Sequence, residues 1–310
     1  MNKNPKMFAL VIGITVAVGV GASIAISPDT QPPKTESTEN PRTIFWRHIH
    51  GLGIEPSDRS ILYIATHGDF YQSVNGGPPV KVDEQRADYM AFNAPYNEGV
   101  PLYASGHPAT GGNTGLIKSA DGGKTWQQVA TILEPPVDFH AMGVSKSNPD
   151  IIIGFDSAGR GLFKTTDAGK SWETLPVPDY ITTLVIDPGD SNVVFAGFAG
   201  SQKGVSKSLD GGTSWTLLDQ YKGLTVLTLS FDDAGVLYTY TSEQGLAKSS
   251  DMGKNWVKVG KPSLTIMSIA ADSQNGIIYV AGYSPDGFQE VYKSSDDGNK
   301  WDLIATNKEL

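Results

Sequence analysis

The sequence of 310 residues contains no cysteine, few arginines and an excess of acidic groups, with a net charge of −9. Without cysteine the chain has neither a disulfide nor a lipid-attachment site, so an exported domain must be stabilised by its core. The negative charge excludes the basic surface with which a general nucleic-acid-binding protein displaces counterions. We therefore expect no nucleic-acid partner.

The N-terminal segment is apolar and follows two basic residues. Lys3 and Lys6 precede an uncharged run over residues 7–27 that is rich in Val, Ile, Ala and Gly. Its length predicts that residues 1–27 are either a signal peptide or a retained membrane anchor. Both alternatives place the rest of the chain outside the cytoplasm, secreted or tethered to the outer side of the cytoplasmic membrane. Residues 28–43, rich in Pro, Thr and Glu, predict a disordered tether before a folded domain over residues 44–310.

An eight-residue pattern, Ser-x-Asp-x-Gly-x-Thr-Trp, recurs in the folded domain. A degenerate copy without tryptophan begins at Ser73, and five near-complete copies begin at Ser119, Thr165, Ser208, Ser249 and Ser294. The intervals of 46, 46, 43, 41 and 45 residues, with strand-like sequence between them, are typical of β-propeller blades. The pattern predicts an all-β protein, a six-bladed β-propeller with four-stranded antiparallel blades.

The repeated pattern predicts a turn that holds each blade together. The hydroxyl and carboxylate bond backbone amides of the turn, Gly adopts a positive φ, and Trp packs between sheets. A group that every blade needs is expected to be structural rather than catalytic. The predicted structural residues are Asp121, Asp167, Asp210, Asp251, Asp296, Trp126, Trp172, Trp215, Trp256 and Trp301.

The pattern resembles the Asp-box, or BNR repeat, over residues 44–310. Proteins with this repeat include sialidases, xyloglucan-degrading glycosidases, the luminal domain of sortilin and photosystem II assembly factors. The chain looks most like exported bacterial proteins labelled glycosyl hydrolase or exo-sialidase. The resemblance implies three carboxylate-binding arginines if the chain is a sialidase. The sequence argues against this activity, because no arginine follows Arg160 and neither Ile nor Pro follows Arg47 as the sialidase motif requires.

All five histidines are predicted to lie on the face of the propeller opposite the Asp-boxes. His48, His50 and His140 stand at the beginning of inner strands, whereas His67 and His107 follow second strands. Both positions belong to the same end of a blade, because the Asp-box occupies the turn between the third and fourth strands. The sequence therefore predicts a histidine-rich mouth on the channel axis.

A transition-metal site is one hypothesis for this mouth. Neutral imidazoles suit zinc or copper, and ligands from separate loops of a rigid ring can converge. The candidate ligands are His50, His67, His107 and His140, with Asp156 as a ligand or as their hydrogen-bond partner. Two alternatives remain open at this point: ordinary loop histidines in a polar mouth, or one histidine acting with Asp156 as acid–base machinery over a bound sugar.

Further polar and aromatic residues are expected at the same mouth, where such linings serve ligand binding. The predicted ligand-binding residues are Tyr89, Asp138, Arg160, Tyr180 and Glu243. The first functional hypothesis is a monomeric binding or assembly module of the cell envelope that recognises a glycan, a small ligand or an envelope protein. The alternative is a glycoside hydrolase in which Asp156 is the candidate catalytic residue.

Overall fold

Short apolar segments separated by glycine-rich turns form strands along the folded domain. The computed structural model describes residues 44, 46–94 and 99–308, which fall within the unit Asn40–Leu310. The predicted signal peptide or anchor and the predicted tether lie outside these residues. In the described part of the chain, no helix has the length and apolar character needed to cross a bilayer.

The described residues form six four-stranded antiparallel sheets, each built from four consecutive strands, which confirms the predicted propeller. Blades one and two contain β1 (Ile49–Ile54), β2 (Ile61–Thr66), β3 (Phe70–Val74), β4 (Val80–Lys81), β5 (Ala87–Asn93), β6 (Leu102–Pro108), β7 (Leu116–Ser119) and β8 (Gln127–Ala130). Blades three and four contain β9 (Phe139–Val144), β10 (Ile152–Asp156), β11 (Leu162–Thr165), β12 (Glu173–Leu175), β13 (Ile181–Ile186), β14 (Val194–Phe198), β15 (Gly204–Ser208) and β16 (Thr216–Leu217). Blades five and six contain β17 (Val226–Phe231), β18 (Leu237–Thr241), β19 (Gly245–Ser249), β20 (Val257–Lys258), β21 (Thr265–Asp272), β22 (Ile277–Tyr283), β23 (Gln289–Ser294) and β24 (Asp302–Thr306), and a 3₁₀ helix, Asp219–Tyr221, follows β16.

The first strand of each blade is the innermost, and these six strands surround a central channel. Each inner strand packs beside the inner strand of the next blade, and β21 packs beside β1, so the ring closes. Both faces of a blade are therefore covered by neighbouring sheets. This burial explains why second strands such as β10 and β14 are apolar on both faces.

Each Asp-box stabilises its own turn. In blade two, Asp121 accepts hydrogen bonds from the Thr125 amide (2.9 Å) and hydroxyl (2.6 Å), while the Ser119 hydroxyl accepts one from the Gly123 amide (2.9 Å). Gly123 has a φ of 90°, and a Cβ there would lie 2.3 Å from the Phe70 ring of blade one. The turn is therefore wedged against the preceding blade, and the box carboxylate is occupied by the turn itself.

One tryptophan packs in each of the six apolar cores between adjacent blades. Five come from Asp-boxes, and each packs between its own blade and the preceding one; they are Trp126, Trp172, Trp215, Trp256 and Trp301. The sixth core, between blades six and one, contains Trp46 instead. This is the position that the degenerate box beginning at Ser73 leaves without a tryptophan. The segment before blade one thus completes the set.

Trp46 also marks where the two ends of the propeller meet. Its side chain is 4% exposed and stacks edge-on against Tyr71, with ring centroids 5.6 Å apart. The Ile44 amide donates a hydrogen bond to the Thr306 carbonyl (2.8 Å), and the Asn307 side chain donates one to the Trp46 carbonyl (3.2 Å). The segment before β1 therefore bonds to the end of the last strand of blade six.

Replacing Trp46 by alanine should lower the free energy of unfolding by about 3–5 kcal/mol, because it leaves a large cavity in the core that closes the ring. Urea denaturation followed by circular dichroism measures this change. Val80→Ala on β4, where the side chain is 65% exposed, is the control and should change stability by less than about 0.5 kcal/mol. A loss for Trp46→Ala as small as that of the control would contradict this account of ring closure.

Candidate metal and ligand site at the channel mouth

A β-bulge near the beginning of the inner strand directs side chains into the channel. In five of the six blades, the pairing with the second strand skips one residue of the inner strand. A bulged residue has no cross-strand partner, and its side chain is re-aimed. The skipped residues all line the channel, and they are His50, His140, Thr182, Leu227 and Met267. Blades one and three therefore present imidazoles, whereas blades four to six present uncharged side chains.

Asp88, at the beginning of β5, is the acidic residue around which three histidines gather. Its Oδ1 lies 2.9 Å from His50 Nε2, and its Oδ2 lies 2.7 Å from His67 Nδ1 and 3.4 Å from His107 Nδ1. Its side chain is 9% exposed. His67 is held close by an isolated β-bridge with Asp88 and by donation of its amide to the His48 carbonyl (2.8 Å). The backbones of blades one and two thus fix this group.

Two buried atoms of this group have unsatisfied bonding capacity. Although His50 Nε2 and Asp88 Oδ1 are 2.9 Å apart, neither has a partner with normal hydrogen-bond geometry. Donor atoms of His50, His67 and Asp88 all lie within 4.8 Å of one another. A metal ion that forms bonds of about 2.0–2.2 Å to nitrogen and oxygen could bind both His50 Nε2 and Asp88 Oδ1 after small shifts of the side chains.

Asp138 forms a second acidic centre in the next blade. Its Oδ2 lies 2.8 Å from His140 Nε2 and 3.5 Å from His107 Nε2, and it accepts a hydrogen bond from the Ser157 hydroxyl (2.8 Å). His107 therefore lies between the two carboxylates, with one ring nitrogen towards each. The four predicted metal ligands do not form one cluster: His50 and His67 join Asp88, His140 joins Asp138, and His107 connects the two.

The carboxylates and His107 perturb one another's ionisation. Hydrogen bonds to Asp138 and Asp88 raise the pKa of His107 to about 10. Burial by itself raises the pKa of Asp88, but the close approach of His107 and His50 outweighs burial and holds that pKa well below its ordinary value. The pKa of Asp138 is low for the same reason, with His107 and His140 as donors. Burial, followed by the charges of His50 and His67, lowers the pKa of His48.

Asp156, the predicted catalytic candidate, lies in the interior and bonds the backbone of Asp138. Its side chain is fully buried, and it accepts hydrogen bonds from Arg160 Nε (2.8 Å), Arg160 Nη2 (2.8 Å) and the Asp138 amide (2.9 Å). Arg160 Nη1 also donates to the Pro135 carbonyl (2.7 Å). This ion pair positions the loop that carries Asp138. The polar atoms of Asp156 and Arg160, both predicted site residues, are therefore engaged in contacts that hold this loop.

The other predicted ligand-binding residues are distributed unevenly. Tyr89 is 1% exposed in the core between blades one and two, where its hydroxyl donates to Asp83 (3.0 Å), so it does not face the mouth as predicted. Tyr180 is 42% exposed, and its hydroxyl donates to the carbonyl of Ser157, the residue whose hydroxyl bonds Asp138. Glu243 accepts hydrogen bonds from the Thr225 amide (2.8 Å) and hydroxyl (2.7 Å) in blade five. Tyr180 and Asp138 thus lie together, while Glu243 belongs to another part of the rim.

No arginine triad forms among the arginines that the structure describes. Arg59 pairs with Asp233 at the Asp-box end of the channel, whereas Arg86 lies near Asp69 and Arg160 binds Asp156. Arg42 lies outside the described residues.

The sequence interpretation missed Asp88. A signal for Asp88 was present, because Asp88-Tyr89 and Asp138-Phe139 have the same arrangement, an acidic residue directly before a buried aromatic residue of an inner strand. Successive side chains of a strand point to opposite sides. Aligning the two aromatic residues in the core would have placed both carboxylates at the mouth.

The raised pKa of His107 predicts a specific loss of stability in alkali. The pKa of His107 rises from 6.5 to about 10 on folding. The stabilisation of the folded state by protonated His107 is therefore fully present below pH 6.5 and is lost as the pH approaches 10. We expect the melting temperature to fall over this interval and His107→Gln, which does not titrate, to flatten the fall. Calorimetry across the interval measures both, and equal slopes for the two proteins would contradict the prediction.

Comparison with known proteins gives one family-model match to part of the chain and several solved structures with a similar fold. The family model described as sortilin, neurotensin receptor 3 (Sortilin-Vps10) matches residues 114–228. Among curated proteins, no sequence match is found. The solved structure of the Niastella koreensis GH74 enzyme is similar, with 18% identity and a TM-score of 0.63 over 86% of this chain and 46% of that one.

Two further structures resemble the chain more loosely. An ancestral GH74 enzyme has 17% identity and a TM-score of 0.48 over 85% of this chain and 39% of that one. YCF48 from Cyanidioschyzon merolae has 15% identity and a TM-score of 0.48 over 71% of this chain and 73% of that one. The chain spans less than half the length of both GH74 enzymes. The chain is a six-bladed Asp-box β-propeller, as its sequence repeats, its sheet order and the likeness to the GH74 fold all indicate. Its residues 114–228 match the Sortilin-Vps10 family model.

Proposed function

We propose that this protein is an extracytoplasmic binding module that holds a divalent transition-metal ion at the channel mouth with His50, His67 and Asp88. The observation that carries the proposal is the convergence of their donor atoms within 4.8 Å, with His50 Nε2 and Asp88 Oδ1 buried, 2.9 Å apart and without a hydrogen bond of normal geometry. Leaving two such atoms without a well-formed hydrogen bond costs free energy, and a cation bound to both removes that cost.

The donor set favours zinc or copper over the alkaline-earth ions. Imidazole nitrogen with one carboxylate suits zinc and copper, whereas calcium and magnesium prefer oxygen ligands throughout. This proposal narrows the ligand set predicted from the sequence. His107 and His140 are assigned to Asp138, and the imidazolium of His107 links the two carboxylates rather than binding the ion.

The proposed ligand surface surrounds the ion on the same face. Tyr180 lies beside the Asp138 loop, and the uncharged side chains of Thr182, Leu227 and Met267 line the other half of the mouth. A glycan, a small ligand or an envelope protein would meet the uncharged side chains of one half and the carboxylates and imidazoles of the other. The extracytoplasmic location rests on Lys3 and Lys6 before the apolar run over residues 7–27.

Glycoside hydrolysis is less well supported by this geometry. A glycosidase needs one carboxyl group that stays protonated near neutral pH. Asp88 and Asp138 both have lowered pKa values and are therefore ionised. Burial raises the pKa of Asp83, but its side chain has no exposed surface and bonds to Tyr89. The likeness to the GH74 enzyme concerns the fold and does not assign an acid among these carboxyl groups.

Protein purified without a histidine tag should bind Zn²⁺ at the mouth. Asp88→Asn should weaken that binding by about 10–100-fold or more, because losing only a hydrogen-bond partner of a metal ligand already costs about that much. Titration calorimetry with ZnCl₂ measures the affinity, and elemental analysis measures the ion carried through purification. Asp302→Asn, exposed at the beginning of β24, is the matched control and should bind as the wild type does. Failure of the wild type to bind Zn²⁺ or Cu²⁺, or equal binding by the Asp88 variant, would overturn the proposal.

A further inference from the structure

We infer that His48 is a further ligand of the same ion and that Tyr283, from the neighbouring blade six, positions its ring. The inference rests on the proposed metal site and adds a residue to it. His48 immediately precedes β1, and Tyr283 is the last residue of β22, so the site reaches across the interface at which the ring closes.

The three imidazoles of blade one form a nearly equilateral triangle. The ring centroids of His48 and His50 are 6.3 Å apart, those of His48 and His67 are 6.1 Å apart, and those of His50 and His67 are 6.2 Å apart. Three imidazoles bound to one tetrahedral ion at about 2.0–2.1 Å would have centroids roughly 5 Å apart. Each centroid would move inward by about half an ångström to reach that spacing, and the rings would also turn to direct one nitrogen each at the ion.

Tyr283 determines which nitrogen of His48 is available to an ion. The Tyr283 hydroxyl lies 2.7 Å from His48 Nδ1. A metal-bound histidine usually donates its second ring N–H to an oxygen atom, which fixes both the tautomer and the ring orientation. With Nδ1–H donating to Tyr283, His48 keeps its lone pair on Nε2.

The backbone holds the same triangle together. The His67 amide donates to the His48 carbonyl (2.8 Å), which joins the segment before β1 to the residue after β2. His50 is two residues beyond His48, at the bulge that directs it towards the axis. Three imidazoles with one carboxylate close a tetrahedral shell, and an external ligand then makes it five-coordinate. The set therefore fits a tightly held zinc ion.

The test compares the Zn²⁺ affinities of full-length His48→Ala, Tyr283→Phe and wild type by competition with a chromophoric chelator. His48→Ala should weaken binding by about 100-fold, and Tyr283→Phe, which removes only the hydroxyl, by about 10-fold. Tyr292→Phe is the matched control: it removes a phenol of the same blade that bonds Glu290 (3.0 Å), and its affinity should equal that of the wild type. With Co²⁺ as the probe, His48→Ala should also change the visible d–d bands.

The outcomes separate this inference from the proposed function. Wild-type protein that binds Zn²⁺, together with unchanged affinity and unchanged Co²⁺ bands in His48→Ala, overturns the role of His48 and leaves the site of His50, His67 and Asp88 intact. Absence of binding in the wild type overturns both. Circular dichroism checks the fold of each variant. If His48→Ala does not fold, Tyr283→Phe decides, and wild-type affinity in that variant contradicts the inference.

Discussion

Every sheet of this ring has two apolar faces, and each face must be covered by a neighbouring sheet. That constraint explains the tryptophan in each interface and the glycine that lets each Asp-box approach the preceding blade. It also explains Trp46, which fills the interface whose own box has none. Once the ring is closed, the six inner strands surround one axis, and their bulged residues meet there whatever their separation in sequence.

The two ends of the channel have different chemistry. At the Asp-box end, Arg59 of blade one and Lys146 of blade three both contact Asp233 of blade five, so side chains from alternate blades meet across the axis. At the other end, imidazoles and carboxylates occupy blades one to three, while the bulged residues of blades four to six, Thr182, Leu227 and Met267, are uncharged. The proposed ion and ligand site lies on the histidine-bearing side, and the repeated boxes serve the architecture.

The blades could be predicted from sequence because each box is a local structure of eight residues and recurs at a regular interval. The histidine-bearing face followed from strand order alone. The acidic partner did not, because it depends on which of two adjacent side chains faces the axis: Tyr89 was expected at the mouth, but its neighbour Asp88 is there instead. Asp156 has the expected loop position, yet Arg160 holds it in the interior, a contact that strand order does not reveal.

The central claim is that Asp88 and the histidines beside it form a metal site on the face opposite the Asp-boxes. Anomalous diffraction at the zinc edge, from crystals grown with one equivalent of Zn²⁺, tests it most directly. The account predicts one dominant peak within about 2.0–2.2 Å of His50 Nε2, His67 Nδ1 and an Asp88 oxygen. Zinc peaks confined to the Asp-box face, or no zinc peak between these side chains in such crystals, would contradict it.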